Sequence, residues 1–180
     1  MQNRSKKTAK LALMGLLFAL AMALSFLESL LPALPMLPPG IRLGLSNIVT
    51  MYSLFVLGPV GGYTIAVLKS LFVLLTRGAV ASVMSASGGL LSTTIMLTVS
   101  RLPGMRQQYL LLSIFGGAAH NVGQLIAARW IIQNQYVWYY LPILLIAGII
   151  MGTVTGLILK TVLPYLNRLD LDHNKARNQF

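Results

Sequence analysis

Residues 55–78 read FVLGPVGGYTIAVLKSLFVLLTRG, and the way this stretch folds sets the number of times the chain crosses a bilayer. The cluster Gly58-Pro59-Val60-Gly61-Gly62 separates two short apolar segments, 44–58 and 60–76. Pro and Gly at such density signal a tight turn, so the stretch predicts a helical hairpin. One broken helix is the alternative, because Pro and Gly are tolerated within membrane helices. It would change the span count. Lys69 sits midway along the second arm with apolar residues on both sides, where an ammonium is costly unless it faces a cavity or a partner, or snorkels to the interface.

Outward from the hairpin, the chain is almost entirely apolar. Hydrophobic residues make up 56% of its 180 residues and charged residues 9%. Soluble domains carry about 25% charged residues to hydrate their surface, so this composition predicts an integral membrane protein. Six apolar segments lie at about 9–27, 44–58, 60–76, 82–100, 109–130 and 139–162, each read as a helix. The expected fold is all-α: a compact bundle of six transmembrane helices forming one domain over 1–165, followed by a polar cytoplasmic tail at 166–180. The first segment has a basic start and Ala21-Met22-Ala23 as a cleavage-like site. Its apolar run continues through Leu24 and Phe26, so retention as a span is expected.

The net charge of +11 does not point to nucleic acid, because the charges flank spans and no basic face is interleaved with aromatics. Ten of the fourteen Lys and Arg lie at the termini or in the 101–108 gap. With six spans these share one side, which the positive-inside rule makes the cytoplasm. The segments 28–43, 77–81 and 131–138 then face outward, the last with Tyr136, Trp138, Tyr139 and Tyr140 nearby to form an interface belt. A multi-pass protein of a prokaryotic plasma membrane is expected, with the bilayer as its constant partner.

Several chemistries are excluded by inventory. The chain has no cysteine, so thiol catalysis, disulfides and cysteine-ligated metal centres are out. Its acidic residues are Glu28, Asp170 and Asp172 alone, too few and too scattered to hold magnesium for diphosphate chemistry. There is no GxxxxGK[ST] loop. No serine sits in a GxSxG context. His120 and His173 have no zinc-ligand spacing. No enzyme, metal site or bound cofactor is expected of this chain.

Polar groups inside or at the mouths of spans carry what chemistry remains. His120 and Gln124 are four residues apart and share a helix face, with Asn121 adjacent; that face either meets a ligand or hydrogen-bonds a neighbouring helix. Arg42 and Asn47 follow the stiff break Pro38-Pro39-Gly40, which exceeds what an interfacial anchor requires. Arg129, near the end of its span, reads as an anchor. On the outer half Arg42, Lys69 and Arg77 outnumber Glu28, so a pocket for a ligand with an anionic group and an apolar body is expected. Arg42, Asn47, Lys69, His120, Asn121 and Gln124 are its candidate contacts.

Small residues at four-residue spacing mark close helix approach. Gly148, Gly152 and Gly156 form one such face, expected to pack helices within the chain or to dock a partner. Gly15, Ala19 and Ala23 form another, with the two roles evenly balanced. Ala81, Ser85 and Gly89 form a third.

Taken together, PGIRLGLSNIV at 39–49, GPVGGYTIAVLKSLFVLLTRG at 58–78, SASGGLLS at 85–92 and GAAHNVGQL at 117–125 resemble the Gx transporter family, also labelled heptaprenyl diphosphate synthase component I. The resemblance covers about residues 8–165. That family is similar to the substrate-binding S components of energy-coupling factor transporters. The resemblance implies capture of a vitamin-like or isoprenoid- or quinone-precursor-like molecule from outside. A transmembrane T subunit and two ATPase subunits would be its partners, and ATP would be used by those ATPases. It implies T-subunit docking through Gly15, Ala19 and Ala23, and a lid role for the outer segment with Glu28, Pro38, Pro39 and Gly40. The synthase label implies an alternative, a non-catalytic accessory subunit of isoprenoid metabolism, since the aspartate-rich motif of prenyl synthases is missing here. A flavin- or quinone-linked electron-transfer component is a third reading.

Overall fold

The structure, a computed structural model, describes residues 2–30, 44–105 and 107–177, with side chains over 8, 10–30, 44–105 and 107–161. The elements in order are α1 (Gln2–Leu30), α2 (Asn47–Leu57), α3 (Pro59–Arg77), α4 (Ala79–Ser100), α5 (Tyr109–Ile132), a 3₁₀ turn (Gln135–Tyr140) and α6 (Leu141–Arg177). The described residues are all helical or in turns, and five helices among them are long and apolar enough to cross a membrane. The apolar segment expected at 44–58 gives a helix of only 11 residues, α2. At 1.5 Å per residue that is about 16 Å, half of a bilayer core. Its start is delayed because Gly44, Leu45 and Ser46 are spent on turns, with the N–H groups of Asn47, Ile48 and Val49 reaching three residues back.

The hairpin reading of 55–78 holds, but the turn is smaller than the Pro/Gly cluster predicts. Gly58 alone breaks the helices, at φ 85° and ψ −176°. This backbone region is open essentially only to glycine. Pro59 then occupies the first turn of α3, where its missing N–H costs nothing. Gly61 and Gly62 lie inside α3 and let α2 approach: a methyl on Gly62 would sit 3.0 Å from the Leu54 side chain. The α3–α4 connection repeats the device at Gly78, φ 86° and ψ 177°, so the loop expected at 77–81 is one residue long. The loop expected at 131–138 is mostly the 3₁₀ turn. It begins after Gln133 closes α5 in the left-handed conformation and Asn134 Oδ1 accepts from the Tyr136 N–H.

Helix α5 is the central element, packed between α4 and α6. Water-driven burial does not hold helices together in lipid; close packing does. The α5–α6 seam is built from glycine. Gly148 lies on the Gly117 carbonyl and Ala118, Gly152 on the Ser113 carbonyl and Ile114, and Gly156 on Leu110. A methyl on Gly152 would come within 2.6 Å of the Ser113 carbonyl oxygen. Gly148, Gly152 and Gly156 thus pack helices inside the chain. Asn121 pins the same seam, its Nδ2 donating to the Leu144 carbonyl at 2.7 Å. Helix α1 packs on α2 and α3 through Leu17 and Ala21, against Val49 and Ile65. Its opposite side, with Gly15, Ala19 and Ala23, is exposed, and no described atom lies within 4 Å of where a Gly15 methyl would be. Large exposed apolar side chains such as Leu75, Ile146 and Leu16 ring the bundle, as a lipid-facing surface requires.

Candidate functional site

Four helices bring their polar faces together at one end of the bundle. Lys69, Val73 and Arg77 are spaced by four along α3; Ala81 and Ser85 do the same on α4, and His120 and Gln124 on α5. Helical geometry stacks residues at this spacing on one face, and each face turns toward the same cavity. Ser25 and Glu28 from the last turns of α1, with Gly44 and Ser46 ahead of α2, complete the wall.

Lys69 is 2% exposed, the most voluminous of the fully buried side chains among the described residues, so it does not snorkel. Its ammonium lies within electrostatic reach of Glu28 and of His120. Glu28, 3% exposed, uses Oε1 to accept the Gly44 N–H in a short hydrogen bond that ties the end of α1 to the start of α2. Gly44 has φ 85°, and its own position is tight: a methyl there would come within 3.1 Å of His120 Cδ2. The His120 ring is clamped from its other side by Gly88, where a methyl would approach Nδ1 to 2.9 Å. Nδ1 faces the Gly88 backbone without the geometry of a full hydrogen bond.

Of the polar residues singled out in the sequence, Glu28, Lys69, Arg77, His120 and Gln124 line this cavity together. Asn47 lies just beyond it, donating from Nδ2 to Ser92 Oγ at 3.1 Å. Asn121 is not part of it: one residue from His120 is a rotation of about 100° on a helix, which points Asn121 at α6. Arg129 stands apart near the exposed Trp130, Trp138 and Tyr139, at the aromatic end of the bundle. Arg42, Pro38, Pro39 and Gly40 lie outside the described residues. Ser25, Gly44, Ser46 and Ser85 were not expected as site residues. Gly44 carried a signal of a kind, an isolated glycine ahead of an apolar run; the serines carried none, because serine is common inside membrane helices.

The cavity is small, about 20 Å³, enough for one or two water molecules. Its walls are dominated by polar groups. Besides Val73 and Ala81, the described lining is Ser, Gly, Glu, Lys, Arg, His and Gln. Among the described residues no three His, Asp or Glu gather in a way that would hold a metal. The arrangement therefore offers ion pairing and hydrogen bonding, with two cations set against one carboxylate.

The fold defines a class. The chain aligns with the structure described as the S component of a bacterial ECF transporter at a TM-score of 0.62, covering 94% of this chain and 99% of that one, at 20% identity. It is a multi-pass membrane protein with the fold of such a component. By sequence it belongs to the family described as heptaprenyl diphosphate synthase component I, which matches residues 17–162. No curated protein matches the chain.

Proposed function

We propose that this protein is a non-catalytic, substrate-binding membrane component of an energy-coupling-factor-type importer, taking a small anionic molecule from outside a prokaryotic plasma membrane. One observation carries the reading. In an S-component-like fold, a cavity at one end of the bundle holds Lys69 and Arg77 against the single carboxylate of Glu28. Lys69 and Glu28 are buried and Arg77 half-buried, and buried charge is expensive and is retained where a ligand or pathway uses it.

The charge distribution supports the orientation. Arg4, Lys6, Lys7, Lys10 and Arg101 lie toward the opposite end from the cavity, and the positive-inside rule then supports an outward-facing cavity. Five helices long enough to span, plus the short α2 seated beside α3, bring both ends of the chain to one side in this reading, the cytoplasmic side. In the contracted site Glu28 balances the cations. An incoming anion takes over that role, and the volume about it must expand. The exposed Gly15–Ala19–Ala23 face of α1 is the surface offered to a transmembrane T subunit, whose ATPases supply the energy. Residues 1–165 form the membrane unit and 166–180 a cytoplasmic tail.

The family description favours a second reading, an accessory subunit of a prenyl diphosphate synthase. In that case the partner must supply the magnesium-binding carboxylates, since Glu28 is the only acidic residue before Asp170. Native mass spectrometry of protein gently purified from its own membrane tests the proposal. The expected result is a small adduct of anionic chemistry that is lost in Lys69→Gln. An adduct of prenyl diphosphate mass, or one retained in Lys69→Gln, overturns it.

A further inference from the structure

Beyond His120 lies a second void of about 10 Å³, bounded in part by Asn47, Ser113, Gly152 and Thr155. It shares two residues with the outer cavity, Gly44 and His120. The imidazole is therefore a partition between two chambers. Because Gly44 and Gly88 have no side chains, the ring fills the space between α2, α4 and α5 at this level.

The chambers differ in chemistry. The outer one carries Lys69, Arg77 and Glu28; apart from the His120 partition, no ionisable side chain lines the inner one among the described residues. Two buried oxygens of the inner chamber have no hydrogen-bond partner among the described residues, Asn47 Oδ1 and Ser113 Oγ. Asn47 Nδ2 is already committed to Ser92 Oγ. The Thr155 hydroxyl donates to the Met151 carbonyl, which leaves its oxygen lone pairs open. Buried oxygens without donors are unfavourable and rare in native proteins. Asn47 Oδ1 can only accept, Thr155 Oγ1 has lone pairs left to accept with, and Ser113 Oγ can accept as well as donate, so all three oxygens lining the void can receive a group that brings hydrogens.

We infer that the two chambers form one site for an amphoteric small molecule. Its anionic group lies beside Lys69 and Arg77, and a hydroxyl or amino group passes His120 to donate to Asn47, Ser113 and Thr155. The inference rests on the anion-binding reading of the outer cavity and adds a second recognition element to it. A polyisoprenoid chain is disfavoured as the occupant, because it would press hydrocarbon against oxygens that need donors.

The chain has no cysteine, so single introduced thiols report each chamber separately. Ser113→Cys and Ser85→Cys are made in the full chain and purified in detergent. Each is reacted with 2-aminoethyl methanethiosulfonate and with 2-sulfonatoethyl methanethiosulfonate, the rates being normalised to those of a free small thiol. The expected result is a preference of about tenfold or more for the sulfonate at Ser85→Cys and for the amine at Ser113→Cys, the scale of one charge-assisted contact. If Ser85→Cys shows no sulfonate preference, the anion-binding reading fails. If Ser85→Cys keeps it while Ser113→Cys reacts with neither reagent, the inner void is sealed around at most a water molecule, and this inference alone is overturned. Sulfonate preference at Ser113→Cys overturns the acceptor assignment. Thr155→Cys lines the same chamber and gives the same readings if Ser113→Cys does not fold.

Discussion

Replacing Glu28 by glutamine isolates one charge in the middle of the site. The amide oxygen of the new side chain still accepts the Gly44 N–H, so the tie between α1 and α2 survives. What disappears is, among the described residues, the one carboxylate within electrostatic reach of Lys69, a side chain 2% exposed. Removing one partner of a buried pair leaves an uncompensated charge, at a cost of about 3–5 kcal/mol. Arg77 lines the same cavity and adds to the imbalance. The converse change, Lys69→Met, should cost less, because Arg77 remains to face Glu28 and methionine fills the lysine stem's volume. The double variant removes both charges and should regain most of the loss. Thermal unfolding in detergent reads this out. At about 2–4 °C per kcal/mol for a chain of this size, Glu28→Gln should lower the midpoint by roughly 6–20 °C. Lys69→Met should lower it less, and the double variant should lie well above the sum of the singles. Additive losses, or a Glu28→Gln midpoint unchanged from the parent, would refute the pairing and with it the argument that an anion takes Glu28's place.

Other consequences follow from the packing. Gly152→Leu drives a side chain into the Ser113 carbonyl and should abolish recovery of folded protein on size-exclusion chromatography, whereas Ala23→Leu, on the exposed face of α1, should leave recovery intact. Gly58→Ala meets no described atom within 4 Å, so its loss of about 1–3 kcal/mol is purely conformational and should appear as a lower thermal midpoint with ligand binding unchanged. Asn121→Leu loses the bond to the Leu144 carbonyl and should cost about 0.6–1.7 kcal/mol in the same assay. It should leave the reactivity of Ser85→Cys untouched, since Asn121 does not line that cavity. With sided labelling of otherwise cysteine-free chains, Gln107→Cys should react only from the cytoplasm and Asn134→Cys only from outside.

The fold was readable where the sequence breaks its own pattern. Gly58-Pro59 announced the hairpin, because no other residue pair both demands a left-handed glycine and presets a helix start. The length of α2 was not readable. Gly44, Ser46 and Asn47 interrupt the apolar run without marking a helix start, and only the turn hydrogen bonds from Asn47, Ile48 and Val49 show where the helix begins. In the site, Lys69, His120 and Gln124 stood out because an ionisable or amide group in an apolar run has few neutral explanations. Asn121 stood out for the same reason and faces elsewhere; nearness in sequence is not nearness on a helix face. Ser25 and Ser46 were indistinguishable from serines such as Ser87, which bonds its own helix at the Val83 carbonyl, and Ser85 stood out only as part of a small-residue face. Gly44 and Gly88 shape the His120 clamp through what they lack, and that is visible only once the ring is in place. The glycine seam of α6 and the small-residue face of α1 have the same spacing, so spacing alone left packing and docking open for both, and only the resemblance pointed to docking at Gly15, Ala19 and Ala23. Only packing shows that α5 covers the first, while none of the described residues approaches Gly15 on the second.

The central claim is that this chain binds a substrate for a coupling module docked on that open face of α1. Gentle affinity purification from the native membrane, comparing the parent with Ala19→Leu and Ala23→Leu, tests it most directly. A transmembrane T subunit and two ATPases should accompany the parent and be lost from both variants, which still fold. Recovery of a prenyl diphosphate synthase subunit with no ATPases, equally from parent and variants, would contradict it.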